Sequence, residues 1–290
     1  MMHSEAEWFT DKRNGKASIN SIAIYKKFSS EIVKQLDNNL SVNEILSWLR
    51  NETIKAYRAK YSTNPEVGAL NNAMGRWNEF IATSLFSEIV IDMNQNSDSR
   101  IAIFSLPNSK LQKEGANETS AQILSLFCQD EFSTGKTLEK ITPFKDQIFM
   151  SSPDYMIAVF KNGRFSTSVS KFLQQQARDP NSLAIYDFLK GKLYIEELKA
   201  AVSLKTSNRP DRRYQPLFEA AMIKAIGYVL QQRWKYYMVA SESTPADRTI
   251  FTKAIAPHGV ALEQNIKLVD GTYPYTTKAD LFALVETAVQ

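Results

Sequence analysis

Apolar positions along the chain repeat with two periods, one helical and one extended. Ile19, Ile22 and Ala23 recur at helical spacing among polar residues and predict a helix over 19–37. Ser41-Val42-Asn43-Glu44 has the form of a capping box, followed by Ile45, Leu46, Leu49, Ile54 and Tyr57, so a second helix opens there. Asn64-Pro65 ends it. The small residues from Val67 to Gly75 read as a loop, and Arg76-Trp77-Asn78-Glu79-Phe80-Ile81-Ala82 opens a strongly apolar helix over 76–92. Continuous apolar runs predict strands at 101–106, 155–160, 200–204, 234–240 and 265–269. Helices are expected between and after them, over 119–129, 168–177, 181–190, 211–233, 245–256 and 277–288. Strands alternating with helices place the chain in the α/β class, with a mixed central sheet flanked by helices. No internal repeat or low-complexity linker interrupts the pattern, so 1–290 reads as a single domain. Its N-terminal arm and helical part cover 1–65 and its core 66–290. The polar, mixed-charge residues 1–18 read as a mobile arm.

Composition narrows the chemistry. The 290 residues are 43% hydrophobic and 23% charged, which is ordinary globular material. A net charge of +4 and an isoelectric point near 8.9 are compatible with a nucleic-acid partner without requiring one. The one cysteine, Cys128, excludes an internal disulfide and fits a reducing cytoplasm. No apolar run reaches the roughly 18 residues needed to span a bilayer, and the polar start Met1-Met2-His3-Ser4-Glu5 predicts no signal peptide. Only His3 and His258 are present, far apart in sequence, so Ser–His–Asp and Cys–His catalysis are poorly supported and zinc sites of Cys and His are excluded. Hydrolytic chemistry would then rest on carboxylates, a lysine and a hard cation such as Mg2+.

The stretch from Val202 to Glu219 holds the strongest candidate chemistry. A short apolar strand ends at Lys205, where a lone ammonium is costly without a partner. Pro210 keeps Arg209 out of the helical region, and a helix follows with Asp211 as its N-cap. Arg209, Arg212 and Arg213 therefore crowd a helix N-terminus, which already favours anions. Guanidinium forks there suit phosphates or guanine edges, although a solvated charged turn would read the same way. Glu219 shares the apolar face of Met222, Ile223, Ile226 and Leu230 and is expected to point inward. Glu79 shares a face with Ala82, Thr83 and Phe86; the alternative is an exposed first-turn glutamate favoured by the helix dipole. Asp154 stands at the mouth of a strand, where Pro153-Asp154 is also a common turn. If the two strands are neighbours, Asp154, Lys205 and Glu219 come together. Phe132-Ser133-Thr134-Gly135-Lys136-Thr137 resembles the tail of a phosphate-binding P-loop but fails it, since Asp130 stands where the leading glycine belongs.

Pro153-Asp154, Ser203-Leu204-Lys205, the run Lys205-Thr206-Ser207-Asn208-Arg209-Pro210-Asp211-Arg212-Arg213-Tyr214-Gln215, and Glu219 resemble the type II restriction endonucleases that cut around a CCGG core, within the PD-(D/E)XK nuclease superfamily. The likeness extends to Gly75-Arg76-Trp77-Asn78-Glu79 and, loosely, to Tyr237 through Pro245, so it covers about residues 68–256. It implies the restriction-endonuclease-like core and Mg2+-dependent double-strand cleavage at a palindrome. Asp154 would be the bridging metal ligand and Lys205 the catalytic lysine. Ser203 stands where the superfamily has an acid, and the resemblance moves that carboxylate to Glu219. Glu79 would lie near the site, and the Leu204 main-chain carbonyl would complete the metal shell. Arg209, Asp211 and Arg212 match readers of CCGG in the major groove, with Arg213 beside them. Asn72 matches a minor-groove reader. The loop around Ala246, Asp247 and Arg248 and the DNA-facing N-terminal arm are where the flanking pair would be read. A palindromic site implies a homodimer or homotetramer. The alternatives are a DNA-binding protein of this fold that does not cut, and an α/β enzyme that uses the arginines for a small phosphorylated ligand.

Overall fold

The computed structural model describes residues 8–11, 17–95, 97–107, 122–148, 153–207 and 213–290. Two strands, β1 (Phe9–Asp11) and β2 (Ala17–Ile19), form an antiparallel pair, and the helices α1 (Ser21–Asp37), α2 (Val42–Tyr61) and α3 (Val67–Gln95) follow. The main sheet then begins with β3 (Arg100–Ser105) and β4 (Tyr155–Phe160). After α4 (Ser166–Arg178) and α5 (Ala184–Leu189) come β5 (Leu198–Ser207), α6 (Tyr214–Val229) and β6 (Lys235–Glu242). The chain closes with α7 (Pro245–Lys253), α8 (Pro257–Ala261), β7 (Gly271–Pro274) and α9 (Lys278–Val289). The sheet order is β3-β4-β5-β6-β7, with β3, β4 and β5 antiparallel and β5, β6 and β7 parallel. The parallel half needs crossovers, which α6 and the α7–α8 segment supply. Both faces are covered, so β4 and β5 carry apolar runs instead of a clean alternation.

Several elements depart from the sequence pattern. Residues 67–75 are not a loop but the first turns of α3. Gly68 and Gly75 each cost a helix about 1 kcal/mol relative to alanine, and burial of Leu70, Ala73 and Trp77 overrides that preference. The arm is tied down where it is described: Trp8, Phe9 and Ala17 are buried, Phe9 packs edge-on against Tyr57, and Tyr61 donates to Asp11. In the 119–129 region, described from 122 on, 3-10 turns at Leu124–Leu126 and Gln129–Phe132 replace the helix. Ile123, Leu124, Leu126 and Phe127 are all buried. The run 265–269 is a connection that makes one bridge, Lys267 to Ile255, and the chain enters the sheet later, at Gly271.

The sheet is clamped to α3 by Asn94. Its buried side chain accepts from the Ile101 N–H at 2.7 Å and donates to the Ile101 carbonyl at 2.9 Å. Asn94→Ala would leave both backbone groups buried without partners. It should cost roughly 2–6 kcal/mol in denaturant unfolding, the sum over two orphaned groups. A loss below 1 kcal/mol would mean that water takes over both bonds.

Candidate active site

Antiparallel pairing of β4 with β5 matches Met156 to Ala201, so Asp154, two residues back, faces Ser203. Successive side chains alternate between faces, which puts Asp154, Ala201, Ser203 and Lys205 on one face of the sheet. Parallel pairing of Ala201 with Tyr236 adds Tyr236 to that face. One oxygen of Asp154, Oδ2, accepts three bonds: the Leu204 N–H at 2.7 Å, Lys205 Nζ at 3.1 Å and the Ser203 hydroxyl at 3.3 Å. The Asp154 and Lys205 side chains are 24% and 21% exposed, so the pair sits at the edge of the interior with one side open.

Glu219 comes in from α6, above the same face. It is 1% exposed, as its helical phase predicts. Tyr236 donates to its Oε2 at 2.8 Å and Gln215 to its Oε1 at 3.1 Å. The Lys205 ammonium feels all of these acids. Burial by itself would depress its pKa, but Asp154, Glu219 and, more weakly, Glu79 outweigh burial and hold it above the ordinary lysine value. Lys205 is therefore a cation throughout the neutral range and acts as a donor and a positive charge. The Tyr236 phenol, raised by burial and by the Glu219 charge, remains a donor too.

Glu79 approaches from α3 on the far side of Asp154. Arg76 pairs with it and also donates to the Asn181 side chain at 2.8 Å. Burial, with a further contribution from the Asp154 charge, lifts the Glu79 carboxyl above its usual value, against the opposing pull of Arg76 and Lys205. Tyr155 points to the other face and donates to the Glu79 carbonyl at 2.8 Å, which fixes α3 against β4. Arg76, Glu79, Asp154 and Asn181 line an open cleft of about 370 Å3. Asp154, Ser203 and Lys205 are thus in direct contact, and Glu219 and Glu79 act on the same ammonium.

The described candidate DNA readers, Arg213, Arg248 and Asn72, lie at three different helices. Arg209, Asp211 and Arg212 lie outside the described residues, in the link between β5, which carries Lys205, and α6, which carries Glu219. Arg213 is turned to Asp247, a buried carboxylate at the start of α7. Asp247 also closes a capping box with Thr244, so it faces inward rather than toward a ligand. Arg248 is exposed and donates to Ser243. Asn72 is exposed on α3, two helical turns before Glu79. Sequence reasoning missed Arg76, Asn181, Gln215 and Tyr236. Tyr236 carried a signal, since a tyrosine inside an apolar strand buries a hydroxyl that needs a partner.

A family model described as Cfr10I/Bse634I restriction endonuclease matches residues 4–290. The chain belongs to this family. It is an enzyme of the type II restriction class. The type II restriction enzyme Cfr10I of Citrobacter freundii is 24% identical over 262 residues, 84% of this chain and 85% of that protein. The restriction endonuclease Bse634I has the same fold, with a TM-score of 0.74 at 20% identity over 99% of this chain and all of that one. A second structure, of Bse634I with cognate DNA, superposes with a TM-score of 0.75 at 22% identity, covering 98% of each chain. A mixed five-stranded sheet between helices is the architecture shared with these relatives of the Cfr10I/Bse634I family.

The Arg213–Asp247 pair gives a pH signature. Burial alone would raise Asp247, but the hydrogen bonds from Thr244 and the Arg213 guanidinium outweigh it and hold the carboxyl below its ordinary value. A depressed folded-state pKa contributes stability that is present above the unfolded pKa and lost as pH falls through the folded one. Arg213→Ala should therefore be less stable than wild type near neutrality, with the gap closing in acid. Urea unfolding across that range measures it, and a gap independent of pH would exclude a charge contribution from the pair.

Proposed function

We propose that this protein makes Mg2+-dependent double-strand cuts at a palindromic DNA site with a CCGG core. The observation that carries the reading is the Asp154 carboxylate receiving Leu204, Ser203 and Lys205 together, with Glu219 and Glu79 acting on the same ammonium. Among the described residues no three acidic, histidine or cysteine side chains gather into a metal cage. The donor set still fits Mg2+, which takes one or two carboxylates and fills its remaining positions with water and substrate oxygen. Asp154, Glu219 and the Leu204 main-chain carbonyl would hold it. When bound, the ion supplies an activated water and neutralises charge at the phosphate. Lys205 donates to that water or to the scissile phosphate and offsets the charge that builds up in the transition state. Glu79, held by Arg76, adds a carboxylate on the far side of Asp154.

Recognition falls to the segment joining the two catalytic elements. Arg209 and Arg212 offer forks to guanine O6 and N7, and Asp211 accepts from cytosine N4. Asn72 touches the core from the minor groove, and Arg248 stands near the flanking pair. Arg213, engaged by Asp247, fixes α6 against α7 and leaves base reading to its neighbours. A palindrome is read by two copies related by two-fold symmetry, so the working form is a homodimer or a pair of dimers. Among the described residues no helix is long and apolar enough to cross a membrane, and a restriction enzyme acts on DNA entering the bacterial cytoplasm.

Plasmid DNA with Mg2+ should yield discrete fragments whose sequenced ends share a CCGG core. Binding without fragments would favour the same fold acting as a DNA-binding protein alone. Asp154→Ala and Lys205→Ala should each abolish cutting and keep site-specific binding; near-wild-type cutting by either would misplace the site. Arg209→Ala or Arg212→Ala should weaken discrimination by about 1–3 kcal/mol per lost base contact, read by competition between CCGG and scrambled duplexes. Unchanged discrimination would remove them as readers.

A further inference from the structure

Glu219 reaches the site from a helix, while Asp154 and Lys205 sit on the sheet. A ligand set split between two elements must be fixed across the gap, or one carboxylate wanders relative to the other. Tyr236 spans that gap. It lies on β6, beside Ala201 in the parallel register and on the face that carries Ser203 and Lys205. It is completely buried, and its phenol donates to Glu219 Oε2 at 2.8 Å. The Ser203 hydroxyl, also completely buried and on that face, donates separately to Asp154 Oδ2 at 3.3 Å.

We propose that Tyr236 is a positioning residue of this site: its phenol, anchored in β6 beside the strand that carries Ser203 and Lys205, holds the Glu219 carboxylate at a fixed distance and angle from Asp154. The inference rests on the reading of Asp154 and Glu219 as metal ligands given above. The Tyr236 O–H donates to Glu219 and keeps its proton, so the contact orders that carboxylate without neutralising it. Gln215 holds the other oxygen of Glu219 from within α6, while the contact from Tyr236 ties the helix carboxylate to the strands. A tyrosine on the neighbouring strand thus supports a carboxylate that β5 itself does not supply.

The test uses the full-length protein and Mn2+ as the probe, with binding followed by electron paramagnetic resonance and without turnover. Tyr236→Phe should bind Mn2+ about tenfold more weakly, the scale of one hydrogen bond to a charged group. Its DNA affinity in EDTA and its KM for plasmid should stay at wild-type values. Its Mg2+ half-saturation for cleavage should rise, with kcat recovering at high Mg2+. Glu219→Gln should also weaken Mn2+, and adding Tyr236→Phe to it should cost less than about threefold more, because the two act through one contact. If Glu219→Gln weakens Mn2+ and Tyr236→Phe does not, the positioning role is refuted and the metal site stands. If Glu219→Gln leaves Mn2+ affinity unchanged, Glu219 is no ligand and the inference falls with that reading. Should Tyr236→Phe fail to fold, Tyr236→Met also removes the hydroxyl from a buried apolar side chain, and undiminished Mn2+ affinity in that variant overturns the proposal.

Discussion

One carboxylate oxygen with three donors organises this molecule. Asp154 Oδ2 takes a main-chain N–H, a hydroxyl and an ammonium, all from three successive residues of β5. That convergence is possible only because β4 and β5 are adjacent and antiparallel in one register. A slip of one residue would turn Ser203 and Lys205 to the opposite face and leave Leu204 against the carboxylate. The large apolar surface buried on both faces of these central strands holds the register, so the core and the site depend on the same pairing.

Around that pairing the fold places acids from three directions. Asp154 comes from the sheet, Glu219 from α6 and Glu79 from α3. Three carboxylates near one another would repel if nothing compensated them. Lys205 stands among them, and Arg76 takes the outermost. The result is an ammonium that the acids hold charged, which favours a donor over a general base. The change from antiparallel to parallel neighbours occurs at β5, which leaves its C-terminal end leading directly into the arginine-bearing link and α6. In the proposed reading, chemistry and recognition therefore share a strand and a helix.

Polar contacts at the rim have structural consequences of their own. Arg213 and Asp247 join the start of α6 to the start of α7, so an arginine that reads as a DNA contact in the sequence also has a structural partner. Tyr155 and Tyr236 leave the sheet on opposite faces. One fixes α3 through the Glu79 carbonyl, and the other meets the Glu219 carboxylate on α6. Both are buried aromatic residues whose hydroxyls decide how a flanking helix sits.

Local pattern was enough to place most of the strands, the capping box at Ser41, and the inward phase of Glu219, because each depends on residues close in sequence. The family motif likewise marked Asp154, Ser203, Lys205 and Glu219 from linear spacing alone. Pattern failed where packing overrode propensity: the glycine-containing start of α3, the buried arm residues Trp8 and Phe9, and the apolar run before β7 that serves as a connection. Strand order, and with it the contact of Asp154 with residues about fifty positions later, belongs to the tertiary structure. So do the roles of Tyr236, Arg76 and Arg213, since a side chain's partner across a sheet or between helices is set by register and packing, which no short stretch of sequence contains.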